Sequence, residues 1–276
     1  GSNNAANGRR ALYSNTIGDN NTANGAQALY SNTTGIYNTS NGASALYSNT
    51  TGHSNTASGA GALYSTTASL YNVAVGYNAG DSYDNGWNNV FLGANVDVNA
   101  AGLYNVIAVG QGTVVTGSNT ARFGNPATGS YGGWANWTNV SDARFKRNIR
   151  TAVPGIAFIN KLRPVTYNLD ATGLDAFLHR NDKEEDQLSD AARTVHTKAL
   201  QEKEAITYTG FIAQEVETAA RELGYDFSGV DAPKNENDTY GLRYAEFVVP
   251  LVKAVQEQQK MIEELKIEID ELKSKQ

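Results

Sequence analysis

A 17-residue repeat dominates the first half of this chain and restricts the folds that it can adopt. The tripeptide Ala-Leu-Tyr recurs at residues 11–13, 28–30, 45–47 and 62–64. A glycine follows the same period at Gly8, Gly25, Gly42, Gly59, Gly76, Gly93 and Gly110. A fixed period indicates stacked structural units, each of which contacts its neighbours. Seventeen residues are too few for a pair of helices, but they suit a coil of two short strands and two turns.

The residue types within each repeat agree with such a coil. Asn, Thr, Ser and Gly, which favour turns, separate brief apolar stretches that begin at Val73, Val90 and Ile107. A second glycine position, seen at Gly18 and Gly35, also includes Gly1, so we expect the array to extend upstream of residue 1. The sequence therefore predicts a β-solenoid or β-prism fibre shaft over residues 1–117, and a coil this thin favours oligomerisation.

The repeated tyrosines and asparagines have two interpretations each. Tyr13, Tyr30, Tyr47 and Tyr64 form either a ladder that binds a glycan or host-surface receptor, or a structural stack of identical side chains. The structural stack is the favoured interpretation. Asn-x-Ser/Thr triplets such as residues 32–34 match glycosylation acceptors, but their recurrence with the repeat is better explained by turn chemistry.

Composition excludes several classes of function. The net charge of −6 argues against nucleic acid as the main partner, and no apolar run is long enough to predict a membrane span. There is no cysteine, and His53, His179 and His196 are scattered without the spacing of metal ligands, so neither a metal site nor a cofactor is predicted.

The repeat gives way to a different kind of sequence near residue 140. Residues 118–140 are predicted to be an irregular Gly- and Trp-rich cap and linker, in which Trp134 and Trp137 seal the end of the array. Residues 1–140 carry only seven of the 50 charged side chains, and the rest follow. Residues 141–245 have the pattern of a small α/β domain, with a charged helical insertion at 173–205 whose apolar face is Leu174, Phe177 and Leu178.

Inside this domain we expect a helix at 155–161, strands at 165–169 and 206–212, and a helix at 213–223. Residues 246–276 are predicted to form a long helix in a coiled coil, with heptad core positions Leu251, Val255, Gln258, Ile262, Leu265, Ile269 and Leu272. Ile at a with Leu at d favours two strands, whereas the glutamine layer and the fibre-like repeat favour three. We expect a trimer.

Three motifs in order precede this helix. They are Ser141-Asp142-x-Arg144-x-Lys146-x-Asn148-Ile149, Gly210-Phe211-Ile212-Ala213-Gln214-Glu215-Val216 and Tyr240-Gly241-Leu242-Arg243-Tyr244. Residues 141–276 thereby resemble the intramolecular chaperone auto-processing domain that ends phage endosialidases, tail spikes and tail fibres. The repeats resemble those of trimeric adhesin heads and phage fibre shafts.

The resemblance implies a homotrimer on a virion tail fibre or a bacterial cell surface. The domain would template the folding of the upstream shaft and then cut itself off, as a single-turnover serine peptidase. Ser141 would be the nucleophile, Lys146 its base, and Val140–Ser141 the scissile bond. Supporting residues would be Asp142 and Arg144, which fix the local turn, together with Asn148, Gln214 and Glu215.

The chemistry requires a particular environment. A serine hydroxyl is a poor nucleophile until a base takes its proton, and an ordinary lysine, with a pKa of about 10.4, is charged at neutral pH. Burial must lower the pKa of such a lysine by roughly three units before it can act as a base. A trimer core would supply that burial, so cleavage would follow assembly.

Three alternatives stay open at this point. The domain could remain attached as a permanent clamp or tip, with Ser141 and Lys146 inactive. Ser-Asp before a helical turn is also a common N-cap, and a lysine five residues later is usually a solvated charge. Lastly, a glycan hydrolase would need paired carboxylates in a cleft, and the repeats offer only Asp19, Asp81, Asp84 and Asp97.

Overall fold

The computed structural model describes residues 1–82, 85–180 and 190–275. Asp84 and the middle of the predicted insertion, residues 181–189, lie outside the described residues. The chain divides into two compact units. The first comprises residues 1–130, 169–206 and 234–238, and the second comprises residues 131–168, 207–233 and 239–276.

A β-solenoid of about seven turns makes up most of the first unit and confirms the predicted repeat architecture. Each turn adds one short strand to a parallel sheet, and paired residues are 17 apart, as in Thr22↔Thr39 and Thr39↔Thr56. The strands of this sheet are β1 Ala5–Asn7, β2 Thr22–Asn24, β3 Thr39–Asn41, β4 Thr56–Ser58, β5 Val73–Val75, β6 Val90–Leu92, β8 Val106–Val109 and β10 Thr120–Phe123.

The second strand predicted for each coil is only partly formed. Along that side of the solenoid, single parallel bridges join His53, Leu70, Trp87 and Tyr104 in succession. Two-residue strands, β7 Asp97–Val98 and β9 Val114–Val115, pair near the end. The period also changes there, because Val106 pairs with Thr120, only 14 residues later. The structure thus agrees with the loss of the 17-residue repeat near residue 118.

Buried asparagines line the coil interior beside a core of alanine, leucine and valine side chains. Asn21, Asn38, Asn55, Asn72 and Asn89 lie one above another and are nearly or fully buried. Each side-chain oxygen accepts a hydrogen bond from the backbone N–H of the residue 17 positions later, as in Asn55 to Asn38 at 3.0 Å. Because buried polar groups are costly unless they are paired, this ladder ties each coil to the next. We call it the asparagine ladder.

The period-defining glycines occupy positions where no other residue fits. Gly42 has φ of +153°, and a Cβ built on it would lie 2.3 Å from the carbonyl oxygen of Gly59 in the next coil. Both the backbone conformation and the close approach of successive coils therefore require glycine. The 17-residue glycine period is a direct consequence of this stacking distance.

The predicted insertion forms two helices, α2 Ala171–Leu178 and α3 Asp190–Glu204, which pack against each other. Asp170 begins α2, and its side chain accepts a hydrogen bond from the backbone N–H of Gly173 at 2.7 Å. Leu178 and Leu200 are buried. These helices belong to the first unit, together with the solenoid.

The second unit has the helices and strands predicted for residues 155–223 and the predicted long helix, and it also has a short strand pair that was not predicted. Helix α1 Ile156–Ile159 packs against α5 Val248–Ser274, and β11 Val165–Asn168 pairs antiparallel with β12 Thr207–Gly210. Helix α4 spans Ala213–Glu222, and the short strands β13 Val230–Asp231 and β14 Gly241–Leu242 pair antiparallel. The core of this unit is made by Phe158, Val216, Ala219, Ala220, Phe227 and Phe247.

Candidate processing site and exposed surfaces

Ser141 and Lys146, the predicted nucleophile and base, are in direct contact. Lys146 Nζ donates a hydrogen bond to Ser141 Oγ at 2.8 Å. A 3₁₀ turn at Ala143–Phe145 separates them and folds the five-residue interval back on itself. Both residues are exposed in the single chain. The geometry is that of a hydroxyl held beside an amine that could take its proton.

Asp142 and Arg144 stabilise this turn, as the sequence predicted. The Asp142 side chain accepts a hydrogen bond from the backbone N–H of Arg144 at 2.9 Å and so caps the turn. The Arg144 guanidinium also pairs with the Asp142 carboxylate at 2.6 Å, and these hydrogen bonds lower the pKa of Asp142. The cap residue is Asp142 rather than Ser141, so the Ser141 hydroxyl is not used as a helix cap.

The remaining predicted supporting residues are Glu215, Gln214 and Asn148. Glu215, in the first turn of α4, pairs with Arg163, and the hydrogen bond from Arg163 lowers the pKa of Glu215. Gln214 is exposed, and within the described chain no hydrogen bond joins Gln214 or Glu215 to Ser141 or Lys146. Asn148 adopts φ of +54°, a left-handed conformation that asparagine tolerates, and so shapes the backbone after the turn.

The segment that carries the site has almost no buried surface in the single chain. Val140 is 87% exposed, and residues 131–150 are exposed apart from a half-buried Asp142. Trp134 and Trp137 are 108% and 92% exposed, and their role as a seal of the array stays a prediction.

Helix α5 exposes the apolar side chains predicted for the coiled-coil core. Those of Leu251, Val255, Ile262, Leu265, Ile269 and Leu272 are between 46% and 63% exposed in the single chain, and Gln258 is also exposed. The helix is 27 residues long, and beyond Ala254 none of its described residues is buried. A row of exposed large apolar side chains along a long helix is typical of an interaction surface.

The tyrosines of the repeat form the predicted ladder. Successive rings of Tyr13, Tyr30, Tyr47 and Tyr64 are stacked with centroids 5.0–5.3 Å apart and planes within 4° of parallel. Each inner ring has both faces against a neighbour, so those faces are not available for stacking on a sugar. The geometry favours the structural interpretation, since stacked aromatic pairs stabilise a fold by about 0.5–1.5 kcal/mol each.

The two described carboxylates that lie together in the repeats, Asp81 and Asp97, do not line a cleft. Asp81 and Asp97 interact with each other, but both are buried in the solenoid. Burial and the neighbouring charge of Asp81 raise the pKa of Asp97 to about 8. The void beside Asp97 measures about 10 Å³, which is room for about one water molecule and not for a sugar ring.

One polar cluster was missed by sequence reasoning. His179 Nδ1 lies 3.4 Å from Asp175 Oδ1, and His196 Nε2 lies 3.0 Å from Asp175 Oδ2. Burial disfavours the Asp175 carboxylate, but hydrogen bonds from the two histidines outweigh it and lower the pKa of Asp175. The spacing of Asp175 and His179 on one helix face was a signal in the sequence, whereas His196 arrives from α3.

Among the described residues, no helix is long and apolar enough to cross a membrane, and no group of three His, Cys, Asp or Glu could hold a metal ion. Residues 141–225 match the family model described as chaperone of endosialidase, which confirms the predicted family for that segment. No curated protein and no solved structure matches the chain.

Proposed function

We propose that this chain is part of a trimeric fibre, in a phage tail fibre or a surface adhesin. Residues 141–276 act as an intramolecular chaperone that drives trimerisation and folding of the solenoid. The same domain then cuts the chain between Val140 and Ser141. The observation that carries the proposal is the 2.8 Å contact of Lys146 Nζ with Ser141 Oγ, which lies inside the segment matched by the chaperone family.

The cleavage is an intramolecular acyl transfer followed by hydrolysis. Lys146 Nζ takes the hydroxyl proton of Ser141, and Oγ attacks the carbonyl carbon of Val140. When the resulting tetrahedral intermediate collapses, the C–N bond breaks and Lys146 returns the proton to the Ser141 nitrogen, which leaves an ester of Val140 on Oγ. Water then hydrolyses that ester to the Val140 carboxylate and the Ser141 hydroxyl. Nucleophile and carbonyl belong to adjacent residues, so proximity favours the first step.

Trimer assembly controls this reaction through solvent exclusion. A lysine accepts a proton only in its neutral form, and removal from water favours that form. In the single chain both Ser141 and Lys146 are exposed, as is the apolar surface around them at Val140, Phe145 and Ile149. Packing of these side chains against other copies would bury the pair. The monomer is therefore inactive, and the cut marks a completed assembly.

Helix α5 explains how the domain assists folding. A helix forms in about a microsecond from local contacts, whereas pairing of β-strands from separate coils requires costly loop closure. Association of three α5 helices through the exposed row from Leu251 to Leu272 holds three chains together and raises their effective concentration. The solenoids then fold in register. Cleavage breaks their covalent link to the chaperone domain, so they cannot unfold by the reverse of the folding route.

Intact mass measurement of the purified chain tests the cleavage. The parent is expected to yield fragments of 140 and 136 residues, whereas Ser141→Ala and Lys146→Gln stay at 276 residues. Arg147→Gln, which removes a neighbouring exposed charge, serves as the matched control and should cleave like the parent. If the parent also stays whole while it runs as a trimer, the domain is a permanent clamp and the Ser-Lys assignment is wrong.

The helix surface is tested separately by a pair of isoleucines on α5. Ile262 is at a predicted core position and is 46% exposed, whereas Ile267 lies on the opposite face of the heptad and is 60% exposed. Ile262→Asp should convert the trimer to monomers in sedimentation velocity, because a charge would be buried at the helix interface. Ile267→Asp should remain trimeric. Equal behaviour of the two variants would contradict a coiled coil in this register.

A further inference from the structure

The last coils of the solenoid are bonded to segments that lie downstream of the proposed cleavage position. These cap segments are residues 169–206, which contain α2 and α3, and residues 234–238. Both belong to the same compact unit as the solenoid, although 38 residues of sequence lie between residue 130 and the first segment and more than 100 lie between residue 130 and the second. The peptide link between shaft and cap runs through residues 131–168, which belong to the second unit.

The loop 234–238 is held by hydrogen bonds to backbone and side chains of the last coils. Asn99 Nδ2 donates to the carbonyl of Asn237 at 2.6 Å, and Asn237 Nδ2 donates to the carbonyl of Asn99 at 3.2 Å. Asn235 Nδ2 donates to the carbonyl of Thr116 at 2.7 Å, and the Thr116 hydroxyl donates to Asp238 at 2.5 Å. Asn99 and Thr116 are both buried, so these bonds are shielded from water.

The helices of the insertion add two contacts from charged or ionisable groups. Lys203 Nζ donates to the carbonyl of Thr128 at 2.8 Å, and His179 Nε2 lies 3.2 Å from the carbonyl of Gly112. His179 Nδ1 faces the backbone carbonyl of Asp175 at 2.9 Å, so both ring nitrogens point at acceptors. The Asp175 carboxylate, shared with His196, holds this ring in place.

None of these bonds depends on an intact chain between residues 130 and 169. Without the cap segments, the carbonyls of Asn99, Gly112 and Thr116 would each lose a partner from the last coils of the fibre. An unpaired backbone group beside the end of a sheet is unfavourable and offers an edge for pairing with other chains. The contacts therefore favour a cap that stays in place.

We propose that the cap segments hold the C-terminal fragment on the last coil of the solenoid after the chain is cut. The product of cleavage is a two-fragment complex with a capped shaft end, rather than a free shaft and a released chaperone. This inference deepens the proposed function and rests on it for its biological meaning. The contact itself can be tested without self-cleavage.

The experiment uses the full chain with Ser141→Ala, so that only an added protease can cut it. Residues 132–137, which are exposed, are replaced by the recognition sequence of a site-specific protease. After digestion, size-exclusion chromatography over a dilution series measures whether the two fragments elute together. We expect co-elution. Separation of the fragments of this parent directly after the cut would overturn the proposal.

Two matched pairs of variants test which contacts are responsible. Asn235→Ala/Asp238→Ala removes the loop contacts to Thr116, whereas Glu236→Ala changes an exposed side chain of the same loop. Lys203→Ala removes the bond to Thr128, whereas Lys198→Ala changes an exposed lysine of the same helix. Each bond lost should weaken retention of the shaft fragment by about tenfold, with the controls unchanged.

Circular dichroism and sedimentation before digestion establish that each variant is folded and has the oligomeric state of the parent. If folded cap variants retain the shaft fragment as tightly as their controls do, the cap contacts are not what holds it and the inference is wrong. Because the added protease cuts regardless of Ser141, failure of self-cleavage leaves this result intact. Conversely, self-cleavage followed by separation would support the peptidase and refute the cap.

Discussion

The asparagine ladder should be highly sensitive to single substitutions, and Asn55 is the best place to test it. Asn55 Nδ2 donates to the carbonyl of Ser69 at 2.7 Å, and its Oδ1 accepts from the backbone N–H of Asn72 at 3.0 Å. Asn55→Ala therefore leaves one backbone acceptor and one backbone donor without partners in a buried site. At about 1–3 kcal/mol for each such group, the loss of stability is about 2–6 kcal/mol.

Asn24 provides the matched control because it has the same side chain on the outside of the stack. Its Nδ2 donates to Asn41 Oδ1 at 2.9 Å, but the pair is exposed, so water replaces the bond when it is lost. Asn24→Ala should cost less than about 1 kcal/mol.

Urea unfolding followed by circular dichroism, at one protein concentration for all variants, measures both effects from the midpoints. A midpoint shift for Asn55→Ala no larger than that for Asn24→Ala would refute the ladder as the element that holds the coils together. A shift confined to Asn55→Ala would locate the stabilisation in the buried column.

Two further predictions concern the solenoid. The raised pKa of Asp97, about 8 beside Asp81, means that the native state binds a proton more tightly than the unfolded chain does. Stability from this group is therefore complete below about pH 4 and falls as the pH rises towards 8, by on the order of 1 kcal/mol per pH unit. Denaturation midpoints at pH 5 and pH 9 should differ more in the parent than in Asp97→Asn. An equal difference in the two proteins would contradict the raised pKa of Asp97. Gly59→Ala should destabilise the protein by several kcal/mol, because its Cβ would meet the Gly76 carbonyl oxygen at 2.2 Å; a melting temperature within a degree of the parent's would show that the coils can move apart.

At the processing site, local sequence was enough to predict the turn but not the contact of Glu215. The five-residue interval between Ser141 and Lys146, with Asp142 and Arg144 between them, was enough to predict a turn fixed by an ion pair, and the structure has that turn. Glu215 was placed in the same group from the family motifs, yet its partner is Arg163. That pairing depends on how α4 lies relative to a distant segment, which a motif does not encode.

By itself, the sequence determined the elements whose pattern repeats over short distances. The 17-residue glycine period predicted the solenoid because each coil repeats the same close approach, as at Gly42, and the heptads predicted the long helix α5. Only the tertiary structure decided what lies at the end of the shaft. A cap was predicted at residues 118–140 from nearby tryptophans, Trp134 and Trp137, whereas the contacts of residues 169–206 and 234–238 with the last coils were not predicted. Contacts such as that of Asn99 with Asn237 join residues 138 positions apart. Such a pairing depends on the folded path of the whole chain, so it cannot be predicted from a periodicity or a local spacing.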